Sequence, residues 1–230
     1  MPSFRRADCL VVALVVTFAS HAFPEWVDSL TYRWAYDLLA KSVDPASVHP
    51  ALCNYFYGLQ LLFGVLLVAG SPRRHGLRIG EIGRYKYRVL LVCGGPLIVA
   101  WVGCQFVDIP VWMSSCVGVW LISPLAQDLV FVGFLYTILR ESFPGHLHRR
   151  VPIDKGLLLG EMFFSLWHAW NFRDTDAGFV CLQMCYTFAG GLLVGLTRQW
   201  TGSLFYVTAV HMGGNFLGWY YAPEFPMFHR

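Results

Sequence analysis

The stretch FVCLQMCYTFAGGLLVGL, residues 179–196, determines what kind of structure this chain can form. It is apolar over nearly the length that a helix needs to cross a bilayer, and it contains no charged side chain. Such a run predicts a membrane-spanning helix, because a helix satisfies its backbone hydrogen bonds internally where water is absent. Six further apolar runs follow the same pattern. The predicted spans are about 8–23, 51–70, 88–107, 111–139, 156–172, 177–197 and 203–221.

The composition indicates a protein with little mass outside the bilayer. The chain has 230 residues, of which 56% are hydrophobic and 13% are charged, whereas about a quarter of an ordinary soluble domain is charged. These values exclude a disordered chain, a coiled coil and a soluble domain. We therefore predict an all-α fold, a polytopic transmembrane helix bundle of about seven spans. It forms a single membrane domain over residues 1–230.

Basic residues are concentrated in alternate connections between the predicted spans. The positive-inside rule then places the N-terminus inside and the C-terminus outside, in a multi-pass protein of what we expect to be a bacterial cytoplasmic membrane. Because the positive charge lies in short loops, nucleic acid is not an expected partner. The basic residues of these connections are Arg5 and Arg6 at the N-terminus, Arg73, Arg74, Arg78, Arg84, Lys86 and Arg88 after the second span, Arg140, Arg149, Arg150 and Lys155 after the fourth, and Arg198 after the sixth.

The first span has a second interpretation. Two arginines, an apolar core and the small-residue segment Ser20-His21-Ala22 are also typical of a secretory signal with its cleavage site. In that case residues 1–22 would be removed and six spans would remain. The residues that follow, Phe23, Pro24 and Trp26, suit an interfacial anchor equally well.

A few polar side chains fall inside the predicted spans, where an ionisable group is costly and therefore indicates function. A carboxylate or histidine there could take a proton from water, and an amide with a second histidine could stabilise an oxyanion. Carboxylate and imidazole groups also suit zinc. The structural alternative is a neutral hydrogen-bonded network that fixes helix packing. The residues are Gln127 and Asp128 in the fourth span, Glu161 and His168 in the fifth, and His211 and Asn215 in the seventh.

Three motifs contain most of these residues and resemble those of one family. SPLAQDLVFVGFLY at 123–136 is similar to a P-x-x-E-E-x-x-x-R motif, and FSLWH at 164–168 to F-x-x-x-H. TGSLFYVTAVHMGGN at 201–215 is similar to H-x-x-x-N preceded by T-G-S-L. In this order and spacing, they resemble the motifs of the CPBP family, the CAAX-processing and bacteriocin-protection membrane peptidases. The resemblance covers about residues 115–220.

The resemblance implies an intramembrane peptidase that cuts a membrane-associated or lipidated peptide near its C-terminus. Its partners would be that peptide and the lipid bilayer. Zinc or another divalent metal is an implied cofactor, with His168, His211 and Asp128 as implied ligands. The implied catalytic residues are Asp128, His168, His211 and Asn215, with Gln127 at the position of the family's glutamate.

Two departures from the family pattern leave a second function open. An amide at Gln127 cannot act as a general base, and Val132 replaces the arginine of the motif. The alternative is therefore a catalytically silent protein of the same fold, acting as a membrane scaffold or an immunity or binding factor. A small transporter is a third possibility, but no repeat symmetry supports it.

Glu161 is a candidate substitute acid for the missing glutamate. It lies seven residues before His168, two helical turns or about 10 Å away along the axis, and this offset argues against the role. The simpler interpretation is that Glu161 reaches interfacial water at the inner end of the fifth span.

Overall fold

The computed structural model describes residues 6–42, 45–79, 85, 87, 121–148, 151–173 and 175–221, and the fold is given for these residues. Two long helices open the chain, α1 (Arg6–Ser42) and α2 (Pro45–Val68). The next described helix is a continuous rod made of α3 (Ser123–Asp128), a π-helical segment (Leu129–Leu135) and α4 (Tyr136–Ser142). We call this rod the motif helix.

A short ribbon and three helical segments complete the described chain. Strands β1 (His146–His148) and β2 (Val151–Asp154) pair antiparallel, with His146 opposite Asp154. Helix α5 (Lys155–Trp167) continues into a 3₁₀ turn (His168–Arg173). Helices α6 (Ala177–Thr201) and α7 (Leu204–Tyr221) follow, separated by Gly202 in the left-handed conformation that favours glycine.

The described elements are helices, as predicted, apart from the β1–β2 ribbon, which was not predicted from the sequence. Within the residues that the structure describes, two helices have the length and hydropathy of a membrane span, Arg6–Leu38 and Ala177–Thr201, and Asn54–Val68 is a shorter apolar helix. The predicted first span was too short, since α1 has 37 residues and runs without a break past position 23. The predicted span 88–107 and the first part of 111–139 lie outside the described residues. The number of seven spans stays a prediction.

The motif helix lies at the centre of the described residues because apolar side chains cover it on two sides. Leu135 and Leu139 are fully buried against α1 and α5 in one apolar cluster. On another side, Leu129 and Val132 pack with residues of α2 and α7 in a second cluster. The members of the first cluster are Cys9, Ala13, Val16, Val130, Phe131, Leu135, Leu139 and Phe164, and those of the second are Val68, Leu129, Val132, Leu204 and Val207.

Helix α1 is part of this packing and is continuous through the segment predicted as a possible cleavage site. Ala13 is fully buried in the first apolar cluster. Further along, the Glu25 carboxylate accepts a hydrogen bond from the Trp170 indole at 2.9 Å and pairs with Arg173 at 3.2 Å. The first helix is therefore joined both to the core and to the 3₁₀ turn that follows α5.

The loop that follows α2 is fastened to one end of the motif helix. Arg74 forms an ion pair with Glu141 at the end of α4. His75 is 4% exposed and its Nδ1–H donates to the Gly133 carbonyl at 3.2 Å. The Arg198 guanidinium of α6 donates to the Arg74 carbonyl and packs against Gly76, which has φ of +94°. The motif helix and α6 thus both contact this loop.

Candidate functional site

A buried aspartate and a histidine form the centre of the candidate site. Asp128 is the last residue of α3, and His211 lies in the middle of α7. The His211 Nδ1–H donates to Asp128 Oδ1 at 2.9 Å, and the Asp128 side chain is 2% exposed. The carboxylate therefore fixes the imidazole tautomer and leaves Nε2 with its lone pair, the arrangement that a histidine base requires.

His168 lies beside this pair, at the start of the 3₁₀ turn. The aromatic ring of Phe164 contacts both histidines, with ring centroids 5.0 Å from His168 and 6.0 Å from His211. The His168 Nδ1–H donates to the Phe164 carbonyl at 3.1 Å, so that Nε2 is again the nitrogen with a free lone pair. Phe164 thus positions His168 through its backbone carbonyl, and its ring contacts both imidazoles.

Gln127 and Asp128 point to different places, as adjacent residues on a helix must. Gln127 donates from Nε2 to the Ser123 hydroxyl at 2.9 Å and lines a small cavity with Ser20, Gln60 and Trp167. The residue that the motif resemblance aligns with the family's glutamate is therefore an amide that bonds along its own helix. Asn215 lies one turn after His211 and is partly buried.

Glu161 is not at an interface, so the simpler interpretation of this residue was wrong. Its side chain is 2% exposed and interacts electrostatically with Asp128. Its two carboxyl oxygens lie against Gly191 and Gly195 of α6, where added Cβ atoms would meet them. Glu161 is therefore a second buried carboxyl group among the described helices, packed on α6.

His21 is a residue near the site that was not predicted from the sequence, and α1 brings it there. The His21 ring lies with its centroid 5.0 Å from the ring of Trp167 and 5.0 Å from that of Trp170, and it interacts electrostatically with His168. Its signal in the sequence is a histidine within an otherwise apolar run, which also suits a cleavage site. The described site thus draws side chains from α1, the motif helix, α5 and α7.

The donors of the site do not fit a metal ion. Among the described residues, no group of three or more His, Cys, Asp or Glu side chains has an arrangement that could hold one. Asp128 and His211 bond to each other, and the Nδ1 atom of His168 bonds to a backbone carbonyl. A zinc site needs at least three protein ligands that converge on one point. The implied ligand set His168, His211 and Asp128 therefore does not form such a site in this structure.

A buried aspartate–histidine pair beside a second histidine, in a chain built of apolar helices, defines a candidate hydrolytic site of the intramembrane type. Comparison with known families agrees with this class. Residues 109–217 match the family described as "Type II CAAX prenyl endopeptidase Rce1-like". The chain therefore carries a domain of this membrane-embedded protease family, which confirms the CPBP resemblance drawn from the three motifs. No curated protein and no solved structure matches the chain.

Proposed function

We propose that this protein is an intramembrane endopeptidase of the CAAX-processing type, which hydrolyses a peptide bond near the C-terminus of a membrane-embedded or lipidated peptide. The single observation that carries the proposal is the buried hydrogen bond between Asp128 and His211. A buried carboxylate that accepts from a histidine N–H makes that imidazole a better base at its other nitrogen.

The reaction needs a base for water and a donor for the oxyanion. His211 Nε2 takes a proton from water while the water oxygen attacks the substrate carbonyl carbon, and Asp128 stabilises the imidazolium that forms. The Asn215 amide, one turn further along α7, donates to the oxyanion of the tetrahedral intermediate. His211 then gives its proton to the leaving amine as the carbon–nitrogen bond breaks. The products are a carboxylic acid and an amine, and the site returns to its starting state.

This assignment gives Gln127 no proton-transfer role. Of the two adjacent motif positions, Asp128 supplies the carboxylate of the proposed site and Gln127 does not. The histidine that Asp128 contacts is His211 rather than His168. His168, whose Nδ1 is held by Phe164, is proposed to position the attacking water through its Nε2 lone pair. The protein would be active despite the amide at Gln127, because Asp128 supplies the carboxylate and His211 supplies the base.

We propose a multi-pass location in a bacterial cytoplasmic membrane with the N-terminus inside. The support is the family's membrane character, the two long apolar helices and the basic loops. Reporter fusions at both ends test the orientation. A reporter that works only in the cytoplasm should be active when fused to the N-terminus, and a reporter that works only outside the membrane should be active when fused to the C-terminus. The reverse result would contradict the proposed topology.

The test of the activity uses the full chain in lipid nanodiscs with a farnesylated peptide that ends in Cys-aliphatic-aliphatic-X. Mass spectrometry measures the truncated product. Asp128→Asn keeps the shape of the side chain but removes the charge that stabilises the imidazolium, so the cleavage rate should fall by about 100-fold or more. His211→Gln should have an effect of the same order.

Two substitutions of the same chemical type serve as controls. Asp176→Asn lies at the N-terminal cap of α6, where the side chain accepts from the Phe179 N–H, and asparagine also caps helices well. His146→Gln lies in the exposed strand β1, and its amide can still donate to Asp154 Oδ1 as the His146 ring does. Both controls should cleave at the parental rate. A parental chain that binds the peptide without cutting it would favour the silent scaffold over the peptidase.

A further inference from the structure

Arg198, near the end of α6, is a buried arginine that no carboxylate neutralises among the described residues. It is 7% exposed, it forms no ion pair within the described chain, and its Nε atom has no hydrogen-bond partner there. The hydrogen bond that it does donate goes to a backbone carbonyl, that of Arg74. A buried guanidinium group without a counter-charge is costly, so its presence calls for an anion that completes it.

A second arginine without a carboxylate partner lies on the same contact between the loop after α2 and the end of α6. The two segments are joined where the Leu204 N–H donates to the Gly76 carbonyl at 2.9 Å. Arg78 Nε donates to the Gly202 carbonyl at 3.3 Å, while the Arg198 guanidinium packs on Gly76. Each arginine therefore crosses to the segment of the other. Arg78 is exposed and forms no ion pair with any residue that the structure describes.

Two glycines with positive φ provide the space for these side chains. The φ angle is +94° at Gly76 and +69° at Gly202. A Cβ atom at Gly76 would lie 2.5 Å from Arg198 Cζ, and one at Gly202 would lie 2.6 Å from a terminal nitrogen of Arg78. The close approach of both guanidinium groups thus depends on the absence of a side chain at these two positions.

A third guanidinium group adds to the positive charge at this contact. Arg198 Cζ lies 6.0 Å and Arg140 Cζ 5.8 Å from the centroid of the same ring, that of Tyr136. The carboxylate beside this ring, Asp154, already pairs with Arg140 at 3.2 Å and accepts from the Tyr136 hydroxyl. Arg78 and Arg140 both repel the charge of Arg198. Positive groups held so close together favour the binding of an anion.

The position of the contact along α6 indicates the source of that anion. Helix α6 has the length and hydropathy of a membrane span, and Arg198 lies three residues before its last residue. A helix of 25 residues is about 37 Å long and exceeds the roughly 30 Å of the hydrocarbon core, so its last turn reaches the lipid headgroups. The connection that contains Arg78 is also one of the basic connections expected on the inner side.

We propose that Arg198 and Arg78 bind one phosphate group between them, and that this phosphate belongs to the headgroup of an anionic phospholipid. Arginine suits this ligand because its planar guanidinium group can donate two parallel hydrogen bonds to phosphate oxygens. The bound phosphate offsets the repulsion between the guanidinium groups and fastens the loop after α2 to the end of α6. This lipid site goes beyond the proposed function and exists whether or not the chain cleaves peptides.

The test measures lipid binding to the full chain, freed of native lipid in detergent, by native mass spectrometry. Phosphatidylglycerol should bind at least ten-fold more tightly than diacylglycerol, which has the same acyl chains but no phosphate. Arg198→Gln and Arg78→Gln should each weaken phosphatidylglycerol binding by about ten-fold or more, since each removes one guanidinium group from the phosphate. The matched control is Arg33→Gln, which removes the same charge from an exposed position of α1 and should bind as the parental chain does.

Melting temperatures separate loss of the ligand from loss of the fold. Phosphatidylglycerol should raise the melting temperature of the parental chain and of Arg33→Gln, because a ligand that binds the folded state stabilises it. It should leave that of Arg78→Gln, an exposed position, nearly unchanged. Inorganic phosphate that protects the parental chain as well as the lipid does would overturn the lipid source. Equal binding of phosphatidylglycerol by Arg33→Gln, Arg78→Gln and Arg198→Gln would overturn the site itself.

Discussion

At Val132 the chain places an apolar side chain where the similar family motif has arginine. The side chain is 4% exposed and packs in the apolar cluster of Leu129, Leu204 and Val207. An apolar side chain at this position therefore completes the packing of the cluster between α2, the motif helix and α7.

Restoring the family residue at position 132 should damage the protein. Val132→Arg buries a positive charge among apolar side chains, so we expect a loss of about 3 kcal/mol or more of unfolding free energy. Thermal unfolding in detergent measures the loss, with Val132→Ile as the apolar control. Gln127→Glu, beside a hydroxyl and a small cavity, should cause a much smaller change. Equal melting temperatures for Val132→Arg and Val132→Ile would contradict the described packing.

Metal removal is a further test at the level of single side chains. The donors of Asp128, His168 and His211 do not converge on one point, and the described residues contain no alternative cluster. We therefore expect the cleavage rate to be unchanged after dialysis against EDTA. A loss of activity that zinc restores would show that ligands gather in the working protein in a way that the described contacts do not reproduce.

Among the helices, the close approach of α4 and α5 depends on Gly156. A Cβ atom there would overlap backbone atoms of Arg140, which cannot move aside as a flexible side chain would. The hydroxyl of Tyr136, one turn before Arg140, also donates to Asp154 Oδ2 at 2.9 Å, so this end of the motif helix is fixed to the ribbon. The contact sets the position of α5, and with it those of Glu161 and His168.

Gly156→Ala should separate these two helices. We expect it to lower the unfolding free energy by about 1–3 kcal/mol, the usual cost of overpacking, and to reduce cleavage by displacing α5. Gly58→Ala is the matched control, because its Cβ atom meets nothing within 4 Å and alanine favours a helix. Comparable melting temperatures for the two variants would rule out the tight contact.

The π-helical segment, like the β1–β2 ribbon, was not predicted from the sequence. It begins directly after Asp128, and its Gly133 carbonyl accepts from the Thr137 hydroxyl at 2.6 Å and from His75. Such segments are frequent at functional sites. Here the wider turn changes the direction of the side chains that follow Asp128 relative to those before it.

The stability of the whole molecule should depend on pH through His75. This residue connects the loop after α2 to the motif helix. Burial lowers the pKa of His75 below its ordinary value of 6.5, and the positive charges of Arg74 and Arg198 act in the same direction. The hydrogen bond to Gly133 opposes them in part. The unfolded chain therefore binds a proton at His75 more readily than the folded chain does.

Stability should accordingly fall as the pH is lowered below about 6.5 through the folded pKa of His75, and it should be fully retained above that range. Unfolding measured between about pH 7.5 and 5 should show a smaller decrease for His75→Gln than for the parental protein. His148→Gln, in the exposed strand β1, should follow the parental curve. Parallel curves for His75→Gln and the parental chain would contradict this contribution.

The amino-acid sequence alone was sufficient to predict the helical class, the positions of most described helices and the family. Apolar runs predict helix positions because backbone groups inside a bilayer must form their hydrogen bonds within the helix. The spacing of motif residues indicates which of them share a helix face. Spacing along one helix carries no information about contacts between helices. That Asp128 meets His211, that Glu161 is buried against α6 and that His21 packs on Trp167 and Trp170 became known only from the folded chain. These contacts join helices that are far apart in the chain, and the packing of glycines and apolar side chains between those helices fixes their distances.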